Sequence, residues 1–303
     1  MNIKNNIYKQ DIKFAKELTN KHAKSFSMGI KLFPKDIRNA TYAFYSFVRL
    51  PDDIVDEQNL TPEEANNKLK IWINNWNIAY YHDVNYCPSF RLMRNVMIKY
   101  NIPKSLIDDF FTAMLKDTNK FRYQSFQELQ DYMHGSASVV GEIMAIICGA
   151  NDKAKPQARA LGEAFQLTNF LRDIKDDYIK RNRIYIPNNI LIKYNCSHET
   201  IEKQTINNNF IETIKYIINY NRSLYNFART GINQLNPKTQ FGIYLASYIY
   251  EAILDKIEKE NYNIYNKRIH TTKLDKIYIT IKAIKSFKKY IKNLPKQNDN
   301  SIR

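Results

Sequence analysis

The segment from residue 166 to 187, QLTNFLRDIKDDYIKRNRIYIP, spaces its polar residues as an α-helix would. Asn169, Asp173 and Asp177 lie four residues apart, and on a helix such residues form one column with a turn, about 5.4 Å, between neighbours. The residues between them are apolar and predict a buried face beside the column: Leu167, Phe170, Leu171 and Ile174. Carboxylate and amide oxygens suit Mg²⁺, which is commonly shared with substrate phosphates. One column alone is weak evidence, because chance places D-x-x-x-D in most long helical chains.

Another column with the same spacing lies far upstream. Asp52 and Asp56 are four residues apart, and Arg49 precedes Asp52 by one helical turn. In chain order these two residues form the first column, and Asn169, Asp173 and Asp177 form the second. Arg172 adjoins the second column in a similar way. Two such columns facing each other across a helical bundle can bind a small cluster of Mg²⁺ ions, while the arginines donate hydrogen bonds to phosphate oxygens. The alternative is two solvated acidic patches that end their helices, but the presence of both patches, each with an arginine, favours the metal site.

Length and composition favour one helical domain over residues 1–303. Only 7 glycines and 9 prolines occur among 303 residues, and they do not cluster as in a linker. Cys87, Cys148 and Cys196 are widely separated, so we expect neither a disulfide framework nor a zinc site, and a reducing cytoplasm fits. The N-terminus has no apolar signal core, and no run of 18 apolar residues occurs. We therefore expect a cytoplasmic protein, or one lying on the inner face of a membrane without crossing it.

Much of the net charge of +16 lies near the C-terminus, where residues 267–303 carry 11 basic and 2 acidic residues. A basic amphipathic helix is predicted at about 273–294, with one apolar stripe formed by Ile277, Ile281, Ile284, Phe287, Ile291 and Leu294. This helix can rest on an anionic membrane, or it can be an ordinary surface helix with a lysine-rich cover, which is slightly favoured. No nucleic-acid-binding motif accompanies the charge, so we expect no nucleic acid partner.

Six segments in order, spread over about residues 18–290, resemble the squalene/phytoene synthases. They are HAKSFS (22–27), YSFVR (45–49) with 52–56, YMHGSASVVG (132–141), 166–187, Tyr250 with 253–255, and 262–268. Members of this family join two prenyl diphosphates head to head. The resemblance implies an all-α, single-domain class I isoprenoid synthase bundle around a central cavity.

The resemblance and the two columns together give the candidate site. Five residues are predicted to bind metal: Asp52, Asp56, Asn169, Asp173 and Asp177. Tyr132 is the candidate for guiding the intermediate or the proton, and the four aspartates are counted with it as catalytic. Eight further residues are expected to hold diphosphate oxygens or to orient the groups that do: His22, Ser25, Tyr45, Arg49, Gln166, Arg172, Tyr250 and Arg268.

The resemblance also implies the reaction, with Mg²⁺ as cofactor and Mn²⁺ as its substitute. One farnesyl or geranylgeranyl diphosphate ionises and alkylates a second, giving a cyclopropyl diphosphate whose rearrangement makes a 1–1′ bond. Loss of a proton then gives dehydrosqualene or phytoene, whereas hydride from NADPH gives squalene. The chain lacks the C-terminal anchor common in eukaryotic squalene synthases, which favours the carotenoid-type reaction. We expect a monomer or weak dimer.

Some features leave alternatives open. The family commonly has Tyr-Cys and Ala-Gly where this chain has Tyr132-Met133 and Ala137-Ser138, which puts the product in doubt. Another class I terpenoid enzyme, or a catalytically silent membrane-associated relative, are the rival functions. An apolar tunnel is predicted from small and aromatic residues, of which Tyr42 weakly favours the shorter substrate: Phe26, Tyr42, Ala137, Val140 and Phe165.

Overall fold

The computed structural model describes residues 2–23, 26–57, 59–82 and 86–294. Within these ranges the regular structure is helical, which confirms the all-α expectation, and a bridge between Arg122 and Ile184 is the one β-type contact. The α-helices are α1 (Asn2–His22), α2 (Phe26–Ile30), α3 (Lys35–Val55), α4 (Pro62–His82), α5 (Pro88–Tyr100), α6 (Lys104–Asp117), α7 (Phe126–Met133), α8 (Val139–Ile147), α9 (Lys155–Arg181), α10 (Asn188–Lys193), α11 (His198–Glu202), α12 (Asn208–Thr230), α13 (Pro237–Lys259) and α14 (Lys273–Lys292).

Capping residues in the sequence determine where several helices begin and end. Before α4, the T-x-x-E pattern of residues 61–64 indicates a capping box. The box forms, since the Thr61 backbone N–H donates to Glu64 Oε2 (2.8 Å) and the Glu64 N–H donates to Thr61 Oγ1 (3.2 Å). Thr272 and Asp275 form a second capping box at α14. At the C-terminal end of α9, Asn182 adopts a left-handed conformation (φ 52°), which asparagine tolerates better than most residues. The chain therefore reverses directly after the second acidic column.

Helix α9 is the central helix, and it packs against α8, α12 and α13. Its approach to α8 and to the turn just before α8 is very close, because a Cβ built on Gly162 would lie 2.2 Å from the carbonyl oxygen of Ala137 in that turn. A Cβ on Gly141 would lie 2.1 Å from the carbonyl oxygen of Ala158. The small residues between 135 and 141 thus serve tight helix packing.

Two segments between the longer helices have local structure of their own. Residues 188–209 include the short helices α10 and α11. Helices α7 and α8 are joined by a π-helical turn, His134–Ser138. Ser138, one of the residues that departs from the family pattern, donates a hydrogen bond to Glu163 Oε1 on α9 (2.6 Å). That hydroxyl therefore ties two helices together.

The glycine contact between α8 and α9 predicts a stability effect. Gly162→Ala gains up to about 1 kcal/mol of helix propensity, but overpacking against a backbone carbonyl typically costs about 1–3 kcal/mol. We expect the clash to prevail, so that the free energy of unfolding, measured by urea denaturation, falls by about 1–2 kcal/mol. Ser223→Ala on the exposed face of α12 is the control and should change it by less than about 0.5 kcal/mol. A Gly162→Ala protein as stable as the parent would contradict this packing.

Candidate active site

A cavity of about 940 Å³ lies among the helices, with charged side chains at one end and apolar side chains over the rest. Four of the five predicted tunnel residues line it: Phe26, Ala137, Val140 and Phe165. Tyr42 is not part of the lining and is only 2% exposed, buried in the core. The prediction for Tyr42 was wrong. Its helix, α3, does contribute to the cavity, but the Tyr42 side chain faces the neighbouring helices instead. Its bulk therefore gives no information on substrate length.

The first acidic column lies on the last turns of α3. Arg49 Nη1 donates to Asp52 Oδ2 (2.7 Å), and its other terminal nitrogen pairs with Asp53. Asp52 opens onto the cavity, so 43% of its side chain is exposed even though protein surrounds the opening. This enclosure, together with the negative charge of Asp56, raises the pKa of Asp52 to about 7.

The second column lies on α9. Asn169, Asp173 and Asp177 all line the cavity, and the Oδ1 of Asn169 is buried without a hydrogen-bond partner. Burial alone would raise the pKa of Asp173, but hydrogen bonds from Arg172 (2.9 Å) and Arg268 (2.8 Å) prevail and lower it to about 2.

Asp177 behaves differently from its neighbour one turn away. Burial and the charge of Asp173 raise the pKa of Asp177 to about 7, although Arg181 lies 3.1 Å from its Oδ1. Across the described ranges, no three carboxylate, histidine or cysteine side chains converge on one point. The acids are instead spread along two walls. A metal ion here would need water or substrate oxygens to complete its coordination, as Mg²⁺ sites usually do.

Arginines join the two columns. Arg181 Nη2 lies 2.8 Å from Asp56 Oδ2 and its Nη1 lies 3.1 Å from Asp177 Oδ1, so one guanidinium bridges α3 and α9. Arg183 adds a longer contact to Asp56 (3.5 Å). The columns therefore meet at one cavity, as the sequence predicted. Neither arginine was a candidate in the sequence analysis. Asn182 between them was a usable signal, because asparagine tolerates the left-handed conformation that ends a helix. In the structure this residue turns Arg183 back toward the helix.

Behind the charged end lies a buried polar and aromatic cluster. Asp117 is 5% exposed, pairs with Arg183 (3.2 Å) and accepts hydrogen bonds from Tyr132 and Tyr185. Burial raises the pKa of Asp117 to about 6, while Arg183 opposes that rise. Tyr185 stacks on Phe170 with ring centroids 3.9 Å apart. The sequence analysis singled out Tyr132, whereas Asp117 and Tyr185 were not among its candidates.

The other predicted diphosphate contacts also lie at this cavity, with one exception. Ser25 is outside the described residues. Burial and the nearby Arg49 lower the pKa of His22, which favours a neutral imidazole. Burial raises the pKa of Tyr45, so its hydroxyl stays protonated and able to donate. The members that line the cavity are His22, Tyr45, Arg49, Gln166, Arg172, Tyr250 and Arg268.

Known proteins resemble this chain in sequence. A family model for squalene/phytoene synthase matches residues 19–275. Phytoene synthase 1, chloroplastic, of Solanum lycopersicum is 30% identical over 275 residues, which cover 86% of this chain and 64% of that protein. Phytoene synthase of Arthrospira platensis is 27% identical over 274 residues, covering 84% of this chain and 86% of the relative. The match to phytoene synthase 1 of Arabidopsis thaliana spans 63% of that protein.

Solved structures give the fold. A dehydrosqualene synthase in complex with ligand superposes with a TM-score of 0.86 at 21% identity, over 93% of this chain and 98% of that one. A squalene synthase from Alicyclobacillus acidocaldarius superposes with a TM-score of 0.76 at 24% identity, over 84% of this chain and 96% of that one. The helices thus form the isoprenoid synthase fold, and the chain belongs to the squalene/phytoene synthase family.

Proposed function

We propose that this protein is a Mg²⁺-dependent prenyltransferase that joins two C15 or two C20 prenyl diphosphates head to head. The product is dehydrosqualene or phytoene, formed through a cyclopropyl diphosphate. The observation that carries the proposal is the division of one cavity lining into charged residues, at the C-terminal ends of α3 and α9, and apolar residues such as Val140 and Leu161. A prenyl diphosphate has the same division, with a charged head and a hydrocarbon tail. Membership of the squalene/phytoene synthase family supports the assignment.

The residues at the charged end fit a cation bound together with diphosphate. Asn169 has a buried oxygen without a partner, and the pKa values of Asp52 and Asp177 are both raised to about 7 by burial and by neighbouring acids. A divalent cation would relieve both conditions. The proposed ligands are Asp52, Asp56, Asn169, Asp173 and Asp177. When bound, Mg²⁺, or Mn²⁺ in its place, supplies the charge that stabilises a departing diphosphate.

The arginines bind and orient the substrate heads. Arg49 and Arg172 are held by neighbouring aspartates, so their guanidinium groups are positioned before substrate arrives. Arg268 lies in the segment that connects α13 to α14, and its side chain is 61% exposed. The guanidinium can therefore exchange its contact with Asp173 for one with a phosphate oxygen. Donors fixed in advance at the leaving group are the usual way in which an enzyme stabilises developing charge.

The apolar part of the cavity excludes water from the allylic cation that remains. Water would quench that cation, so a dry wall is required. Phe165 and Tyr250 stack with their ring centroids 4.3 Å apart on one side. Phe170 and Tyr185 form another stacked pair, close to Tyr132. Aromatic faces stabilise a cation without reacting with it. Tyr132, whose hydroxyl hydrogen-bonds to Asp117, remains the candidate for guiding the intermediate or the proton.

Three other functions are distinguished by one assay. The purified protein is incubated with farnesyl or geranylgeranyl diphosphate and Mg²⁺, with and without NADPH, and the products are identified by mass spectrometry. Dehydrosqualene or phytoene independent of NADPH supports the proposal, whereas squalene that requires NADPH identifies a reducing enzyme. No diphosphate release at all identifies a catalytically silent relative, and cyclic or head-to-tail products overturn the assignment.

The carboxylate columns predict a loss of turnover on neutralisation. Asp52→Asn and Asp173→Asn each remove a charge from a proposed ligand, so we expect product formation to fall by at least about 100-fold. Asp108→Asn is the matched control, because that residue forms a surface ion pair with Lys104 on α6. Its turnover should stay within about twofold, since exposed pairs contribute little. Turnover near the parental level in either column variant would refute the metal assignment.

The raised pKa values predict a pH-dependent response to Mg²⁺. Without metal, the folded protein holds protons on Asp52 and Asp177 up to pH about 7, whereas the unfolded chain releases them near 3.8. Their ionisation therefore lowers stability as pH rises from about 4 to about 7, and a bound cation offsets that loss. We expect the increase in Tm on adding Mg²⁺ to be larger at pH 8 than at pH 6. The same increase at both pH values in the parent protein would contradict the coupling.

Asp117 acts here as a positioning residue, since its contacts are to Tyr132, Tyr185 and Arg183. Asp117→Asn keeps the shape but weakens this network, so we expect kcat to fall by about 10-fold or more with KM changed less. Tyr185→Phe removes one hydrogen bond and keeps the stacked ring, and it should have a smaller effect. Circular dichroism checks that both variants fold. A folded Asp117→Asn protein with the parental kcat would show that this cluster only supports the fold.

A further inference from the structure

Helix α14 exposes an unusual amount of apolar side chain. It packs on α13 through Ile279, Ala283, Phe287 and Tyr290, of which the first two are buried. Most of the stripe predicted from the sequence instead faces solvent. Among the described residues, sixteen large apolar side chains are exposed, and six of them lie on this one helix. They are Leu274 (78%), Ile277 (59%), Tyr278 (70%), Ile281 (51%), Ile284 (39%) and Ile291 (41%).

Lysines continue the same outward face. Residues 274, 278, 281, 285, 288 and 292 follow one another at steps of three and four, so they share one side of the helix. The first three are apolar and the last three are lysines, with Lys282 and Lys289 exposed alongside. The one acid on α14, Asp275, is engaged by Lys256 (2.5 Å) and by the helix cap. This outward face of α14 therefore combines exposed apolar side chains with uncompensated positive charge.

An anionic lipid surface is the occupant that matches both properties. Apolar side chains of such a helix enter the boundary between headgroups and acyl chains, while the lysines meet lipid phosphates. A second copy of the chain fits less well, since a two-fold contact brings this face against itself and supplies no acid for the lysines. None of the described helices has the length and apolar character needed to cross a bilayer. The contact would therefore be peripheral.

The position of α14 relates the surface to the cavity. Lys276, near its first turn, lines the cavity together with His270 and Thr271. Near its other end, the backbone N–H of Asn233 donates to Tyr290 Oη (3.1 Å). Asn233 adjoins Ile232, which lines the apolar part of the cavity. Helix α14 thus runs beside the cavity. It begins next to the segment that contains Arg268 and ends next to the apolar wall of the cavity.

We propose that the outward face of α14, formed by Leu274, Ile277, Tyr278, Ile281 and the lysines 282, 285, 288, 289 and 292, docks this protein on an anionic membrane. The evidence for the docking surface is the exposure of its apolar side chains and the charge of its lysines, and it does not depend on the proposed function. Its connection with catalysis rests on the proposed function, because a C30 or C40 hydrocarbon leaving the cavity beside this helix would pass into lipid without crossing water.

The test is flotation of the full chain with vesicles of phosphatidylcholine alone or with about 30% phosphatidylglycerol. The parent protein should float with the anionic vesicles and not with the neutral ones, and about 0.5 M salt should release it. Each lysine near an anionic surface contributes about fivefold to partitioning, so Lys285→Gln/Lys288→Gln/Lys289→Gln should weaken binding by about 100-fold. Ile277→Gln/Tyr278→Gln/Ile281→Gln should also abolish flotation, since it removes the inserted groups.

A matched control separates this face from exposed apolar residues in general. Ile71→Gln/Ile98→Gln/Ile192→Gln alters three equally exposed apolar residues elsewhere, and that protein should float like the parent. Parental binding by either α14 variant, or equal binding of the parent to neutral vesicles, would overturn the proposal. A dimer in sedimentation velocity that only the α14 apolar variant dissociates, without lipid binding by the parent, would identify a second copy as the occupant. Diphosphate release measured without vesicles should be the same in parent and variants, so failure of the proposed function appears separately as no release in any of them.

Discussion

Two rows of like-charged side chains face one cavity because guanidinium groups lie between them. The bridge from Asp56 through Arg181 to Asp177 crosses from α3 to α9, with both distances near 3 Å. Without a positive group in that place, carboxylates enclosed by protein would repel one another and take up protons, as the raised pKa values of Asp52 and Asp177 already indicate. The arginine bridge lets the fold hold these acids together, but it leaves them incompletely neutralised and thus receptive to a cation.

The remainder of the cavity depends on a different constraint, which is how closely α8 can approach α9. Facing glycines bring the two backbones together, so the wall there consists of small side chains and of the helices themselves. Larger residues contribute at the flanks, where the aromatic pairs stand. One helix, α9, therefore contributes to both environments: its C-terminal half carries the acidic column and its N-terminal half carries Gly162 and Phe165. The charged and apolar parts of the cavity are kept in register by a single rigid element.

Sequence reasoning was most successful where the signal was periodic. The four-residue spacing identified both acidic columns, and the Thr61–Glu64 pattern located the start of α4 correctly. It failed where the outcome depends on which neighbour a helix face meets. Tyr42 and the apolar stripe of α14 have clear helical periodicity, yet the first is buried away from the cavity and the second largely faces solvent. Periodicity reveals that a face exists and does not reveal its partner. Arg183 and Tyr185 were missed for a related reason, since a single left-handed residue set their direction.

The π-helical turn at His134–Ser138 also sets the phase of everything that follows it. Such a turn accommodates one residue more than an α-helical turn, and each residue advances an α-helix by about 100°. Deleting one residue from this turn would rotate α8 by that angle and move Gly141 away from Ala158 and Gly162 on α9. Side chains between Tyr132 and Gly141 can therefore vary within the limits of size, whereas the number of residues separating them cannot.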